Sequence, residues 1–171
     1  MQTNNYRLLA ILAALTILVL ASLACSFSGV DVSGDGATIN ISLKENEINR
    51  LLEESNDRVE DRTVILREIT SVDLHDGYLR IYGTYEKQDG REAEGSYDVK
   101  FDTQGGELQA EIIGVDIEGV ELGDERIQQL NGEIADALAK SNRESSGEVE
   151  YQSVSLTEDE FTMVIKTHWE K

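Results

Sequence analysis

Proline is absent from all 171 residues, where average usage would give ~8. Its absence is compatible with long unbroken strands. Cysteine occurs once, at Cys25, which excludes an internal disulfide framework and any zinc site built on several thiolates. The two histidines, His75 and His168, have no partner at a ligand or catalytic spacing and read as surface residues. Positive charge is scarce: 15 Lys and Arg stand against 34 Asp and Glu, a net −19. Residues 1–25 hold only Arg7, so residues 26–171 carry 14 − 34 = −20. Phosphate recognition needs clustered Lys and Arg, so nucleic acid is excluded as a partner. The same charge weighs against adhesion of the folded domain to an anionic lipid surface. No Gly-x-Ser-x-Gly is present, and no serine has an assignable base. The many carboxylates read as a solvated face, not a general acid/base pair. The expected protein is not an enzyme and has no cofactor and no metal site. Asp31-Val32-Ser33-Gly34-Asp35-Gly36 resembles the start of a calcium loop, but the twelfth position is Ser42 and lacks the bidentate carboxylate.

What is present begins with an address. Residues 1–7 are polar and end in Arg7; residues 8–24 are apolar apart from Thr16 and Ser22; Cys25 follows. A basic start, an apolar run and a small residue before the cut make a secretory signal. The stretch Ser22-Leu23-Ala24-Cys25 resembles a lipobox, in which the cysteine receives a diacylglycerol and becomes the mature N-terminus. The other reading is an uncleaved signal anchor, since seventeen apolar residues reach ~25 Å, the short end for a bilayer span. Both readings place residues 26–171 in the cell envelope, on the extracytoplasmic face of a membrane.

With 40% hydrophobic residues in regular patterns, the remainder is a folded domain. Residues 26–37, rich in Ser, Gly and Asp, read as a flexible tether, and residues 38–171 as a single α+β domain. A strand over 38–43 leads into an amphipathic helix over 43–55, capped by Ser42 with Glu45 three residues on. The turn Asp76-Gly77 pairs Leu74 with Leu79 and Val72 with Ile81. The loop Gln88-Asp89-Gly90 pairs Tyr85 with Ala93, Ile81 with Tyr97 and Leu79 with Val99. A turn around Gln104-Gly105 pairs Phe101 with Leu108, Val99 with Ala110 and Tyr97 with Ile112. The alternation slips at Ile112-Ile113-Gly114, the mark of a β-bulge. Asp124 then caps a long helix over 124–141 with the stripe Ile127, Leu130, Ile134, Ala137, Leu138. Gly132 inside it is expected to let the helix sit close to the sheet. A hairpin closes the chain, pairing Leu156 with Phe161 and Val154 with Met163, with Ile165, Thr167 and Trp169 on the same face.

A secretion signal ending in a lipid-type cysteine comes first, then the capped helix ISLKENEINRLLEES. A long meander, GGELQAEIIGVDIEGVELGDERIQQLNGEIADAL and a closing hairpin complete the order. Over most of residues 38–169 this order resembles the small bacterial envelope lipoproteins with a tubular lipid-binding (TULIP-type) fold. The resemblance implies a coiled antiparallel meander wrapped around the long amphipathic helix, with the shorter helix near the N-terminus. It also implies lipid in the apolar seam between them. The groove residues would be Val99, Phe101, Ala110, Ile112, Val115, Ile117, Ile127, Leu130, Ile134 and Leu138, with the Tyr97 hydroxyl at the rim near a lipid head group. Periodicity by itself fits a packed core equally well. Two functions follow. One is a membrane-tethered protein that binds a lipid or another hydrophobic ligand. The other is a non-catalytic structural or assembly lipoprotein with a closed core and an envelope protein as partner.

Overall fold

The computed structural model describes residues 27–33, 35–56, 65–87, 89–144 and 149–168. The apolar run 8–24, Cys25 and Trp169 lie outside them. Among the described residues no helix is long and apolar enough to cross a membrane.

The described chain is an antiparallel α+β arrangement of two four-stranded sheets and two helices. In order, the elements are β1 (Phe27–Ser33), β2 (Gly36–Lys44), α1 (Glu45–Asn56), β3 (Glu68–His75), β4 (Tyr78–Glu86), β5 (Glu92–Gln104), β6 (Glu107–Asp116), α2 (Glu125–Glu144), β7 (Val149–Leu156) and β8 (Glu160–His168). The meander β3-β4-β5-β6 forms one sheet. The other, β1-β2-β8-β7, joins the first described hairpin to the last, with Ile41 opposite Met163 and Ile39 opposite Ile165.

Turn chemistry sets the meander register. Leu74 faces Leu79 and Val72 faces Ile81 across the Asp76-Gly77 turn. Tyr85 faces Ala93, Ile81 faces Tyr97 and Leu79 faces Val99 across the next loop. The third hairpin corrects the register expected from the sequence. Phe101 pairs with Ala110, Val99 with Ile112 and Tyr97 with Val115. Gly105 and Gly106 both take positive φ, 64° and 85°, so the turn is a two-residue one centred one residue further along. For Phe101 and Val99 the partner shifts by two residues, which keeps the side chains on their face; for Tyr97, past the bulge, it shifts by three. The bulge lies where the alternation slips: Gly114 pairs with Asp98 and Ile112 with Val99, leaving Ile113 extra.

Three further expectations are corrected. Residues 27–33 of the supposed tether form β1, in a hairpin that pairs Asp31 with Thr38 and Ser33 with Gly36. Of the segment resembling a calcium loop, Asp31, Val32 and Ser33 therefore lie in β1 and Gly36 in β2. Ser42 does not cap α1. It stays in β2 and its hydroxyl donates to the Glu160 carboxylate on β8, while Glu47 reaches back to accept the Lys44 N–H at 2.9 Å. The helix thus starts two residues later, at Glu45. Gly132 is exposed, with open space where a Cβ would go, so it does not serve close packing of α2.

Each helix runs along a different edge of the meander. On α1, the Asn49 side chain takes both the N–H and the C=O of Val72 at 2.8 Å, and Glu45 accepts the Leu74 N–H at 3.1 Å. These side chains stand in for a neighbouring strand and close the β3 edge. On α2, Asn131 Oδ1 accepts the Ile112 N–H at 2.8 Å, beside the bulge in β6. The β7 edge meets the meander's turns: Tyr151 N–H donates to Gly106 O at 2.9 Å and Gly77 N–H to Leu156 O at 3.0 Å. A large apolar cluster draws on both sheets and α2; a smaller one, around Leu74 and Leu156, touches it through Ile48, Phe101 and Phe161. Phe101 and Phe161 meet edge to face, 5.8 Å between centroids, and tie one sheet to the other.

Asp124 caps α2 as its sequence position implies. Its Oδ1 accepts the Arg126 N–H at 2.9 Å, and the Arg126 guanidinium bonds both carboxylate oxygens at 2.8–2.9 Å. Arg126 holds the Asp124 carboxyl at about 2, below its ordinary 3.8. A carboxylate depressed in the folded state stabilises fully above its unfolded value and loses that contribution as pH falls through the folded one. Asp124→Ala is therefore expected to lower the thermal midpoint most above pH ~4. The gap to wild type should narrow as the melts are taken down towards pH 2; a pH-independent gap would refute the assignment.

Candidate functional site: the seam and its open end

The residues nominated for a groove are brought together. Of the eleven, eight are buried (Tyr97, Val99, Ile112, Ile117, Ile127, Leu130, Ile134 and Leu138) and belong to the large apolar cluster. Phe101, Ala110 and Val115 are partly buried and pack against it. The sheet supplies its face by alternation and α2 supplies its stripe at helical spacing. Asn131 bridges the two in the middle of the seam through the Ile112 N–H. Tyr97 is not at a rim. It is 5% exposed, and burial alone pushes its phenol well above the ordinary value. No hydrogen bond or neighbouring charge contributes to that shift.

A cleft of ≈ 520 Å³ opens at one end of this seam. Its floor is apolar: Ile65, Leu66, Tyr85, Ile117 and Val120. All five belong to the large cluster, so the floor is the end of the core itself. Four separate stretches meet here, namely the lead-in to β3, the end of β4 with its following loop, the β6–α2 connection and the first turn of α2. Local bonds fix the walls. Arg67 N–H donates to Thr84 O at 2.7 Å, Val120 N–H to Ile117 O at 3.0 Å and Glu118 N–H to the Tyr85 hydroxyl at 3.2 Å. Tyr85 thus gives its ring to the floor and its oxygen to the wall.

The rim is charged. Arg67, Lys87, Arg91 and Arg126 line it, four of the eleven Lys and Arg in the described residues of a strongly acidic chain. Acids answer each of them. Arg67 pairs with Glu86 and lies 3.7 Å from Glu92, Lys87 pairs with Glu118, and Arg91 holds Asp89 with Nε to Oδ2 at 2.7 Å. The bond to Glu118 raises the Lys87 ammonium, and the bond to Arg91 lowers the Asp89 carboxyl. These pairs are mostly solvent-exposed and contribute little to stability. A volume between about 300 and 1,000 Å³ is ordinary for a small-molecule site. An apolar floor under paired charges can enclose the apolar part of a ligand and leave a polar end at the rim.

Of the nominated residues, Ile117 alone also lines the cleft. Tyr85, Val120, Leu66 and the cationic rim escaped sequence reasoning. Tyr85 was legible as an inward strand residue; the others sit in turns and element ends where no period applies. Among the described residues no cluster of three or more His, Cys, Asp or Glu is placed to hold a metal ion. Comparison of the chain with protein-family models, with characterised proteins and with solved structures found no match.

Proposed function

We propose that this chain is a membrane-tethered extracytoplasmic protein, with no chemistry of its own, that takes a lipid or other hydrophobic ligand through the cleft into the sheet–helix seam. One observation carries the reading: the cleft floor and the α2 stripe are parts of one apolar cluster, so the cleft is the seam's open end. The finer architecture, a sheet coiled about α2 as in the tubular lipid-binding lipoproteins, belongs to this proposal, as does lipidation of Cys25. Two acyl chains on Cys25 would hold the protein firmly, where one would not.

A fluorescent polyene fatty acid tests the ligand reading. Titration into the purified full-length protein should give saturable binding, weakened about tenfold (1.4 kcal/mol) when Val120→Trp fills the cleft. No saturable binding by a folded wild-type protein sinks the reading. The anchor has its own test: Cys25→Ser should release or misprocess a lipidated protein and leave a signal-anchored one membrane-bound.

A second reading, a closed-core lipoprotein that meets a protein partner, is favoured by the Asn131 bridge across the seam. On that reading the fatty acid does not bind, and Asn131→Ala only lowers stability.

A further inference from the structure

The edges of the two sheets are treated unequally. The β3 edge is closed by Asn49 and Glu45, and the β7 edge meets the meander turns. At β6, Asn131 of α2 binds the strand backbone. Among the described residues no group bonds the outer side of β1. Two of the four exposed large hydrophobics lie on this strand, Val30 at 49% and Val32 at 74%. They share a face, being two apart, and they stand opposite Ile39 and Ala37 of β2, so they continue the inward apolar face of their sheet past the point where any described residue pairs with its edge. Open apolar edges are ordinarily blunted.

Position in the chain supplies the occupant. Phe27 begins β1 two residues after Cys25. Two residues span at most ~7 Å, about the depth of one headgroup layer. An anchored Cys25 therefore leaves no room for a tether and brings β1 to the lipid surface.

We propose that β1 is a membrane-resting strand: the β1–β2 hairpin lies along the headgroup layer and Val30 and Val32 dip into it. The inference rests on the tether reading of Cys25. The headgroup layer is wet enough to satisfy the open backbone edge, which the hydrocarbon is not. The acidic domain is repelled by anionic headgroups, so the contact is apolar and favours a zwitterionic surface. Two valines contribute little affinity beside an acyl anchor; they fix which way the domain faces.

Depth measurements test this. The full-length protein, in a Trp169→Phe background, is reconstituted into phosphatidylcholine vesicles with brominated chains, carrying either Val32→Trp or Ile113→Trp. Ile113 is exposed on the far sheet and serves as the reference; both sites are open enough that the indole does not disturb the core. Emission at position 32 should be quenched about threefold more than at position 113, because an indole held at the interface lies within reach of the bromines. Equal quenching in a protein that still floats with the vesicles overturns the inference and leaves the tether standing. Protein that washes off the vesicles overturns the tether reading, and this inference with it.

Discussion

Gly83→Ala is expected to cost about 3 kcal/mol or more, enough to leave the fold marginal. Gly83 sits inside the meander, paired with Ile69 on β3 and with Gly95 on β5. A Cβ there would fall inside the van der Waals surface of the Glu68 carbonyl oxygen, 3.2 Å from its carbon and 2.9 Å from Leu66 Cδ1. The first of these is backbone in a paired strand and cannot rotate away. Leu66, 0% exposed, occupies the space a side chain at 83 would take. It is also part of the cleft floor. The absent Cβ is what allows the lead-in to β3 to lie over β4 and put Leu66 in the cleft floor. Gly123→Ala is the control, since a Cβ there meets nothing within 4 Å. Urea melts should show the first variant much less stable and the second near wild type. Wild-type-like stability of Gly83→Ala would mean that Leu66 and Glu68 yield easily and that the cleft floor is not rigid.

Much of this fold was written in local patterns. The β3–β4 and β4–β5 registers follow from Asp76-Gly77 and from the loop ending in Gly90, because turn geometry fixes pairing within a hairpin. The α2 stripe and the bulge at Ile113 are local too. The third hairpin was misplaced because two adjacent glycines can each seat a turn, and alternation is blind to a two-residue slide. The pairing of β2 with β8 joins residues more than a hundred positions apart, where no pattern reaches. β1 was hidden because Ser, Gly and Asp dilute its two valines. The nominated groove residues all fall in or against one apolar cluster, yet alternation assigns faces and says nothing of the space between them. The cleft could not be nominated at all. Its floor and rim come from four stretches that only the finished fold brings together.

Ile127→Ala should destabilise the protein by about 2–5 kcal/mol, the range for emptying a fully buried branched side chain. Ile127 is 1% exposed, in the first turn of α2, and it adjoins Arg126, whose side chain lines the cleft. The truncation removes three carbons where the seam meets its open end. Ile134→Ala removes the same atoms two turns further along the helix, away from the cleft. Both should fall in stability by comparable amounts in urea melts. They part in ligand uptake. If the seam admits an acyl chain, the space freed at 127 lengthens the path into it, and the fluorescent fatty acid should bind Ile127→Ala more tightly than wild type and Ile134→Ala about as wild type does. Equal losses of stability with no change in uptake would assign the whole stripe to packing. The Asn131 bridge would then be the clasp of a closed core, and the protein's business with other molecules would lie on its surface.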